Sequence, residues 1–149
     1  MTVWGCASSK GFGPLYRIEG NLTAKKYVEI LENVMLPARQ RIFGQTISIF
    51  MQDNDPKHSA KITKMYLRDH NIDIMVWPAN SPDLNPIENL WAEMKRLISC
   101  AKYKNATELW IKAQSLWNNQ SQLYFKQTVR EMPSRVKEVL HNHGQLTRH

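Results

Sequence analysis

The pattern of apolar and polar positions divides the chain into strands and helices. Apolar runs bounded by glycine, proline and asparagine predict four strands, at residues 2–8, 14–20, 46–52 and 72–77. A glycine-containing turn joins the first two strands, which we expect to form a hairpin. The last two are separated by a predicted helix at about residues 56–70. These two strands should therefore lie parallel, joined by a right-handed crossover.

Helical periodicity accounts for most of the remaining residues. After Thr23, a good helix N-cap, apolar side chains recur at helical spacing up to a glycine, and Pro37 is expected to kink that helix. Two more helices are predicted at about 106–118 and 120–141. The second of these should break at Met132–Pro133, because proline cannot donate a helical hydrogen bond.

The helix that starts near residue 86 has the clearest pattern. Its apolar positions form one continuous face that should lie on the sheet: Ile87, Leu90, Trp91, Met94, Leu97 and Ile98. Glu88 sits beside that face in the first turn. From there its carboxylate can lean over the end of a neighbouring strand.

Asp53 and Glu88, 35 positions apart, are the candidate chemical groups of the chain. Asp53 follows the predicted strand 46–52, at the strand end where α/β sheets gather functional groups. Glu88 also fits a structural role, because it falls three residues after the predicted N-cap Asn85 and could complete a capping box. Considered without their surroundings, these residues leave both interpretations open.

Composition indicates one globular domain. The 149 residues are 42% hydrophobic and 22% charged, which argues against a disordered chain. The two cysteines, Cys6 and Cys100, show no metal-binding spacing and no second pair, which fits a reducing compartment. No run of about 18 apolar residues and no signal pattern is present, so we expect no membrane partner.

The net charge of +7 is unevenly distributed. Residues 76–94 hold three acidic and no basic residues, whereas residues 95–149 hold ten basic and three acidic residues. An acidic pocket beside a basic flank suits a metal-dependent enzyme that acts on a polyanion. The alternative is that the basic residues only solvate helix faces.

Two sequence blocks carry a resemblance to a known family. DNDPKH at 53–58 and SPDLNPIENLW at 81–91 resemble the Tc1-like transposases of the Tc1/mariner superfamily. The distance between Asp53 and Glu88 is the one that this family keeps between its second and third acidic residues. The mariner branch carries Asp where this chain has Glu88, so the likeness is to the Tc1 branch. This context favours metal binding over capping for Glu88.

The resemblance implies a fold and a domain. We expect residues 1–149 to form a single partial DDE transposase catalytic domain, with C-terminal helices from about residue 106. The implied fold is α/β and ribonuclease-H-like, with a mixed sheet flanked by helices. The chain is expected to start one strand late, after the helix-turn-helix modules and the first, central strand of the family. An exposed inner edge should then make the isolated chain marginally stable, oligomeric or partly molten.

The resemblance also implies a metal site. In the family two Mg²⁺ or Mn²⁺ ions are held by two Asp and one Glu, and here Asp53 and Glu88 match the second and third of these ligands. The first Asp is expected to be absent, so we predict that this polypeptide alone neither cleaves nor joins DNA. Lys57, His58, Lys95 and Arg96 are weaker candidates for DNA contact.

The family activity is DNA transposition and integration by metal-dependent cleavage and strand transfer. The chain could be a truncated copy of such an enzyme, with DNA as its partner. It could instead be a host-retained, non-catalytic DNA-binding fragment, or a fragment that pairs with itself or with intact transposase. A nuclear location follows from the resemblance alone.

Overall fold

The chain begins with a nested antiparallel hairpin. The computed structural model describes residues 1–78 and 81–142. Strand β1 (Thr2–Trp4) pairs with β4 (Tyr16–Ile18), and the short strands β2 (Ala7–Ser8) and β3 (Gly11–Phe12) pair between them. The predicted hairpin is therefore confirmed. The predicted domain also includes residues 143–149, which lie outside the described residues.

Helices make up most of the rest of the chain. In order they are α1 (Ala24–Ile30), a π-helical turn (Leu31–Met35), α2 (Leu36–Phe43), α3 (Pro56–Ser59), α4 (Lys61–Asp69), a 3₁₀ turn (Pro82–Leu84), α5 (Pro86–Ser99), α6 (Ala106–Asn118), α7 (Gln122–Arg130) and α8 (Met132–His141). Among these described helices, none combines the length and the apolar character that crossing a bilayer requires.

The first predicted helix is irregular where proline was expected to disturb it. The Leu36 amide donates to the Leu31 carbonyl, five residues back, instead of four. Pro37 follows immediately and has no amide to donate. The π-helical turn therefore absorbs the missing hydrogen bond, and α1 and α2 continue as one helical unit.

The two predicted parallel strands are much shorter than the sequence indicates. In place of strands at 46–52 and 72–77, the described residues contain one parallel bridge, between Phe50 and Ile74. The Phe50 amide donates to the Asp73 carbonyl over 2.7 Å, and the Phe50 carbonyl accepts from the amide that follows Ile74 over 2.8 Å. The parallel direction is confirmed and the predicted strand lengths are wrong.

Lack of packing explains the short pairing. Ile47 is 82% exposed and Val76 is 96% exposed, so apolar side chains on both segments find no neighbours to hold extended strands together. In the described residues, no strand pairing joins the β1–β4 hairpin to the Phe50–Ile74 bridge.

The predicted helix at 56–70 is two helices. Ala60 adopts an extended conformation, with φ −59° and ψ 148°, between α3 and α4. The buried Thr63 hydroxyl donates to the Lys57 carbonyl over 2.7 Å and fixes the bend. The prediction of one continuous helix is wrong because this side-chain contact replaces a backbone bond. The break predicted at Met132–Pro133 is confirmed, since α7 ends before α8 begins there.

Two apolar clusters hold the fold together. The larger one lies between the hairpin and the C-terminal helices, and its buried members are Leu15, Leu90, Met94, Ala113, Trp117 and Phe125. The second lies under α1 and α4, and its buried members are Tyr27, Leu31, Met35, Leu67 and Ile72. The predicted apolar face of α5 is confirmed, because Leu90 and Met94 are buried in the first cluster. That packing fixes α5, and with it Glu88.

Candidate metal-binding site

Asp53 and Glu88 line the same cavity, which has a volume of about 400 Å³. The walls also include loop residues from both sides, and the full lining is Asp53, Asn54, Asp55, Trp77, Pro78, Ser81, Pro82, Asn85 and Glu88. The two carboxylates that the sequence pairs are therefore brought together in space. Their assignment as metal ligands stays a prediction.

Asp53 lies three residues after the bridge residue Phe50, and 58% of its side chain is exposed. Its Oδ1 atom accepts a hydrogen bond from the Asp55 amide over 3.1 Å. The same Oδ1 atom lies 2.5 Å from Nδ1 of His58. Oδ2 takes part in neither contact, so the carboxylate is held on one side and can accept a cation on the other.

His58 is itself held in place by a small polar network. Its ring stacks on Tyr27 of α1, with ring centroids 4.1 Å apart. The Tyr27 hydroxyl donates to Oε1 of Gln52 over 2.8 Å, and the Gln52 side-chain amide donates to the His58 carbonyl over 3.3 Å. Burial, and then the charge of Asp53, raises the pKa of Tyr27, which therefore remains a neutral donor.

Sequence reasoning missed Tyr27 and Gln52 as parts of this site. Tyr27 fits the apolar stripe of its helix, so its sequence position predicts a core residue and nothing more. Its ring is indeed buried, and it serves the network through the ring that stacks on His58 and the hydroxyl that donates to Gln52. The sequence signal that could have pointed to Gln52 is its position directly before Asp53, at the end of an apolar run.

Glu88 is not needed to cap its own helix. The Asn85 side chain caps α5 by accepting from the Ile87 amide over 3.3 Å. In a capping box the Glu88 carboxylate would accept from the Asn85 amide, but that amide donates to the Pro82 carbonyl over 3.0 Å. The 3₁₀ turn before α5 thus satisfies the Asn85 amide that a capping box would engage. The Glu88 carboxylate points to the cavity.

The electrostatic surroundings make Glu88 a weaker acid than usual. Partial burial raises the pKa of the Glu88 carboxyl. The positive charge of Lys95, two turns along α5, opposes this shift, and the negative charge of Asp53 adds to it. Because the negative charge of Asp53 disfavours ionisation of Glu88, a cation between the two carboxylates would relieve an existing repulsion.

The loop on the Asp53 side is tied to the opposite wall. The Asn54 side-chain amide donates to the Trp77 carbonyl over 2.9 Å. Asp55 caps α3 by accepting from the Lys57 amide over 2.9 Å. Burial acts to raise the pKa of Asp55, but hydrogen bonds from Lys57 outweigh it and leave the pKa below its usual range. Asp55 is therefore a structural carboxylate at the edge of the cavity.

Three of the four residues predicted to contact DNA are engaged by carboxylates. The Lys57 ammonium lies 2.6 Å from Asp55, and His58 contacts Asp53 as described. Arg96 makes two hydrogen bonds, of 2.7 and 2.8 Å, to Glu93 on the same helix. Lys95 is exposed beside the cavity. Contact between these four residues and DNA stays a prediction.

The donor set fits a hard divalent cation in part. Carboxylate oxygens are the ligands that Mg²⁺ and Mn²⁺ prefer, and Asp53 and Glu88 both present them to one cavity. Within residues 1–78 and 81–142 no three His, Cys, Asp or Glu side chains are grouped so that they could hold a metal ion. The described residues thus offer two ligands of a metal site.

Known proteins with similar sequences show the family of this chain. The family described as DDE superfamily endonuclease matches residues 1–110. The Tcb1 transposase of Caenorhabditis briggsae is 35% identical over the whole chain, and the Tc1 transposase of Caenorhabditis elegans is 32% identical. The chain spans 54% of the length of each of these relatives.

Solved structures confirm the fold. The catalytic domain of Mos1 mariner transposase superposes with a TM-score of 0.84 at 22% identity, covering 97% of this chain and 74% of that one. The Mos1 catalytic domain with Mg superposes equally well, covering 97% of this chain and 75% of that one. The ribonuclease-H-like fold that the resemblance implies is therefore confirmed.

Proposed function

This chain belongs to the DDE superfamily of endonucleases, and from that premise we propose that it contributes Asp53 and Glu88 to a site that cleaves and joins DNA during transposition. The observation that carries the proposal is that both carboxylates line one cavity at the end of the Phe50–Ile74 bridge. The similarity to the Tcb1 and Tc1 transposases supports the reaction class.

The cofactors we propose are two Mg²⁺ or Mn²⁺ ions, for which Asp53 and Glu88 would supply two of the protein ligands. When bound, such ions activate the attacking oxygen and stabilise the leaving oxygen of an in-line displacement at phosphorus. Solved structures of the Mos1 catalytic domain with Mn and with Mg support this choice of metal.

The other side chains of the site prepare the carboxylates. His58 holds Oδ1 of Asp53, and Tyr27 limits the rotation of the His58 ring. Lys95 supplies positive charge beside Glu88, where a DNA phosphate would approach. The exposed Lys and Arg side chains within residues 95–142 give the surface that we propose neutralises the DNA backbone away from the reaction. Action on DNA would take place in the nucleus.

We further propose that these 149 residues alone do not cut or join DNA. Holding two divalent ions generally takes at least three acidic groups, and the described residues bring together two. A second role as an interaction partner of itself or of an intact transposase is favoured by the exposed apolar side chains of Ile47 and Val76. A DNA-binding role without turnover draws on the same basic surface.

Mn²⁺ titration followed by electron paramagnetic resonance tests the metal site. The 149-residue chain should bind Mn²⁺, and Asp53→Asn and Glu88→Gln should each weaken binding by about tenfold or more, because each removes a direct ligand. Glu93→Gln is the matched control, since it removes a carboxylate from the same helix outside the cavity. Equal affinity in all four proteins would refute the site.

A nicking assay on supercoiled DNA with Mg²⁺ or Mn²⁺ tests the inactivity of the isolated chain. We expect no product above a protein-free control. Product that forms with the native chain and disappears with Asp53→Ala would show that two carboxylates suffice, and would overturn this part of the proposal.

A further inference from the structure

Arg135, in the first turn of α8, is almost completely buried, with 3% of its side chain exposed. A guanidinium taken out of water is costly unless its charge and its N–H groups find partners. The contacts of its guanidinium therefore indicate which role offsets the cost of burying it.

Those contacts flank Glu88. Nη1 of Arg135 donates to the Asp83 carbonyl and to Oδ1 of Asn89, each over 3.1 Å. Asp83 belongs to the 3₁₀ turn just before α5, and Asn89 directly follows Glu88. One side chain from the C-terminal helix thus holds the backbone before Glu88 and the side chain after it.

The remaining contacts of Arg135 are incomplete. Nη2 lies 3.5 Å from Oε2 of Glu131, which is itself 43% exposed. Nε is buried, and no hydrogen-bond partner for it is present among the described residues. Replacing a buried ion pair by apolar groups of similar volume is often neutral or stabilising. A gain in stability therefore does not explain why an arginine occupies this position. The planar guanidinium, which can hold two groups at once, explains it better.

We propose that Arg135 is a positioning residue, which fixes the segment 82–89 so that the Glu88 carboxylate stays in the cavity with Asp53. Four of the cavity-lining residues come from the segment 81–88, so its position sets the shape of the cavity as well. This inference rests on the proposed function for its consequence in metal binding. Its structural content, the order of the segment 82–89, is independent of metal.

The test compares Arg135→Met, Arg135→Lys and Arg130→Met with the native chain. Arg135→Met keeps the side-chain volume and removes the guanidinium N–H donors. Arg135→Lys keeps the charge but replaces the planar guanidinium by a single ammonium. Arg130→Met is the matched control, because Arg130 is exposed in the last turn of α7 and its loss changes the net charge equally. Amide hydrogen exchange without metal, Mn²⁺ affinity and urea unfolding are measured for all four proteins.

Both Arg135 variants should speed exchange of the Glu88 amide, which donates to the Asn85 carbonyl over 3.0 Å, by about tenfold, while amides of α6 keep their native rates. The Mn²⁺ dissociation constant should rise by about tenfold, as expected when a group that orients a ligand is removed. Arg130→Met should leave both quantities unchanged.

Three results would overturn the proposal. The first is native exchange in the first turn of α5 in both Arg135 variants. The second is a uniform rise of exchange that tracks a loss of global stability, with Mn²⁺ affinity unchanged. The third is loss of the folded state in both variants, which would assign Arg135 a purely structural role. If the native chain binds no Mn²⁺, the proposed function fails, and the exchange measurement still decides the role of Arg135.

Discussion

His58 Nδ1 lies 2.5 Å from Oδ1 of Asp53, and the His58 ring is stacked on the buried ring of Tyr27. A histidine directly bonded to a carboxylate restricts how that carboxylate can turn. The arrangement links the second apolar cluster, under α1 and α4, to the end of the Phe50–Ile74 bridge. Asp53 is thus oriented by a residue whose sequence position suggested contact with phosphate instead.

We predict that His58→Ala weakens Mn²⁺ binding by about tenfold, because groups that orient metal ligands typically contribute that much to affinity. His58→Asn should retain most of the affinity, since an asparagine amide can occupy the place of Nδ1. Isothermal titration with Mn²⁺ measures both. If His58→Asn is as weak as His58→Ala, the ring contributes through its stacking on Tyr27 and not through the contact with Asp53.

The pH dependence of stability should reveal the raised pKa of Glu88. The folded protein binds the Glu88 proton more tightly than the unfolded chain, whose value is near 4.5. The stability from this group is thus fully present below that value and is lost as pH rises through the folded pKa. Glu88→Gln cannot titrate, so its free energy of unfolding relative to the native chain should rise as the pH increases above the unfolded value and through the folded pKa.

Glu93→Gln provides a control of opposite sign for that experiment. The hydrogen bonds from Arg96 lower the pKa of Glu93, so its stabilising effect is present above the usual glutamate value and is lost on acidification. Relative to the native chain, this variant should therefore lose stability as pH rises. Urea unfolding followed by tryptophan fluorescence measures both series, and parallel curves for the two variants would contradict the assignments.

Gly5 should be intolerant of a side chain. A Cβ atom there would lie 2.8 Å from Cη2 of Trp117 and 3.0 Å from Cη2 of Trp91, whose rings are stacked 5.0 Å apart. Gly5→Ala should lower the free energy of unfolding by about 1–3 kcal/mol, because the stacked rings cannot both move aside. Gly11→Ala is the control, since its nearest neighbour would be Ile42 at 3.6 Å, an ordinary contact. Equal urea midpoints for the native chain and Gly5→Ala would contradict the close packing of Gly5 against the two tryptophan rings.

The two thiols should differ in reactivity. Burial raises the pKa of Cys6 to about 11, whereas Cys100 is exposed at the end of α5. Iodoacetamide attacks the thiolate, so Cys100 should be alkylated first and Cys6 only after urea is added. Mass spectrometry of the native chain and of Cys100→Ser follows each site. Equal rates at both thiols in the folded chain would show that the hairpin opens readily around Cys6.

The sequence predicted those parts of the fold that depend on local pattern. The apolar face of α5 and the break before Pro133 are confirmed, because periodicity and proline act within a few residues. The strands at 46–52 and 72–77 were overestimated, because their length depends on neighbours outside the local sequence.

The same division holds for the site. The two motifs were enough to predict that Asp53 and Glu88 lie close together, since one follows a strand segment and the other starts a helix. The structure places both residues at one cavity. The contacts of Tyr27 and Arg135 could not be predicted in this way. Each reaches the site across tens of residues, and each looks like an ordinary helix position in the sequence.

The exposed apolar side chains of Ile47 and Val76 should make the chain self-associate. Both lie within three residues of the Phe50–Ile74 bridge, and exposed apolar side chains next to backbone that is not paired in a sheet promote pairing between chains. We expect the sedimentation coefficient of the native chain to rise with concentration. The double variant Ile47→Lys and Val76→Thr should remain monomeric over the same range. Leu123→Lys is the control, because Leu123 is also largely exposed, at 73%, but belongs to α7 and not to the segments of the bridge. A native chain that is monomeric at all concentrations and melts in one sharp transition would contradict the expectation of an open, associating sheet edge.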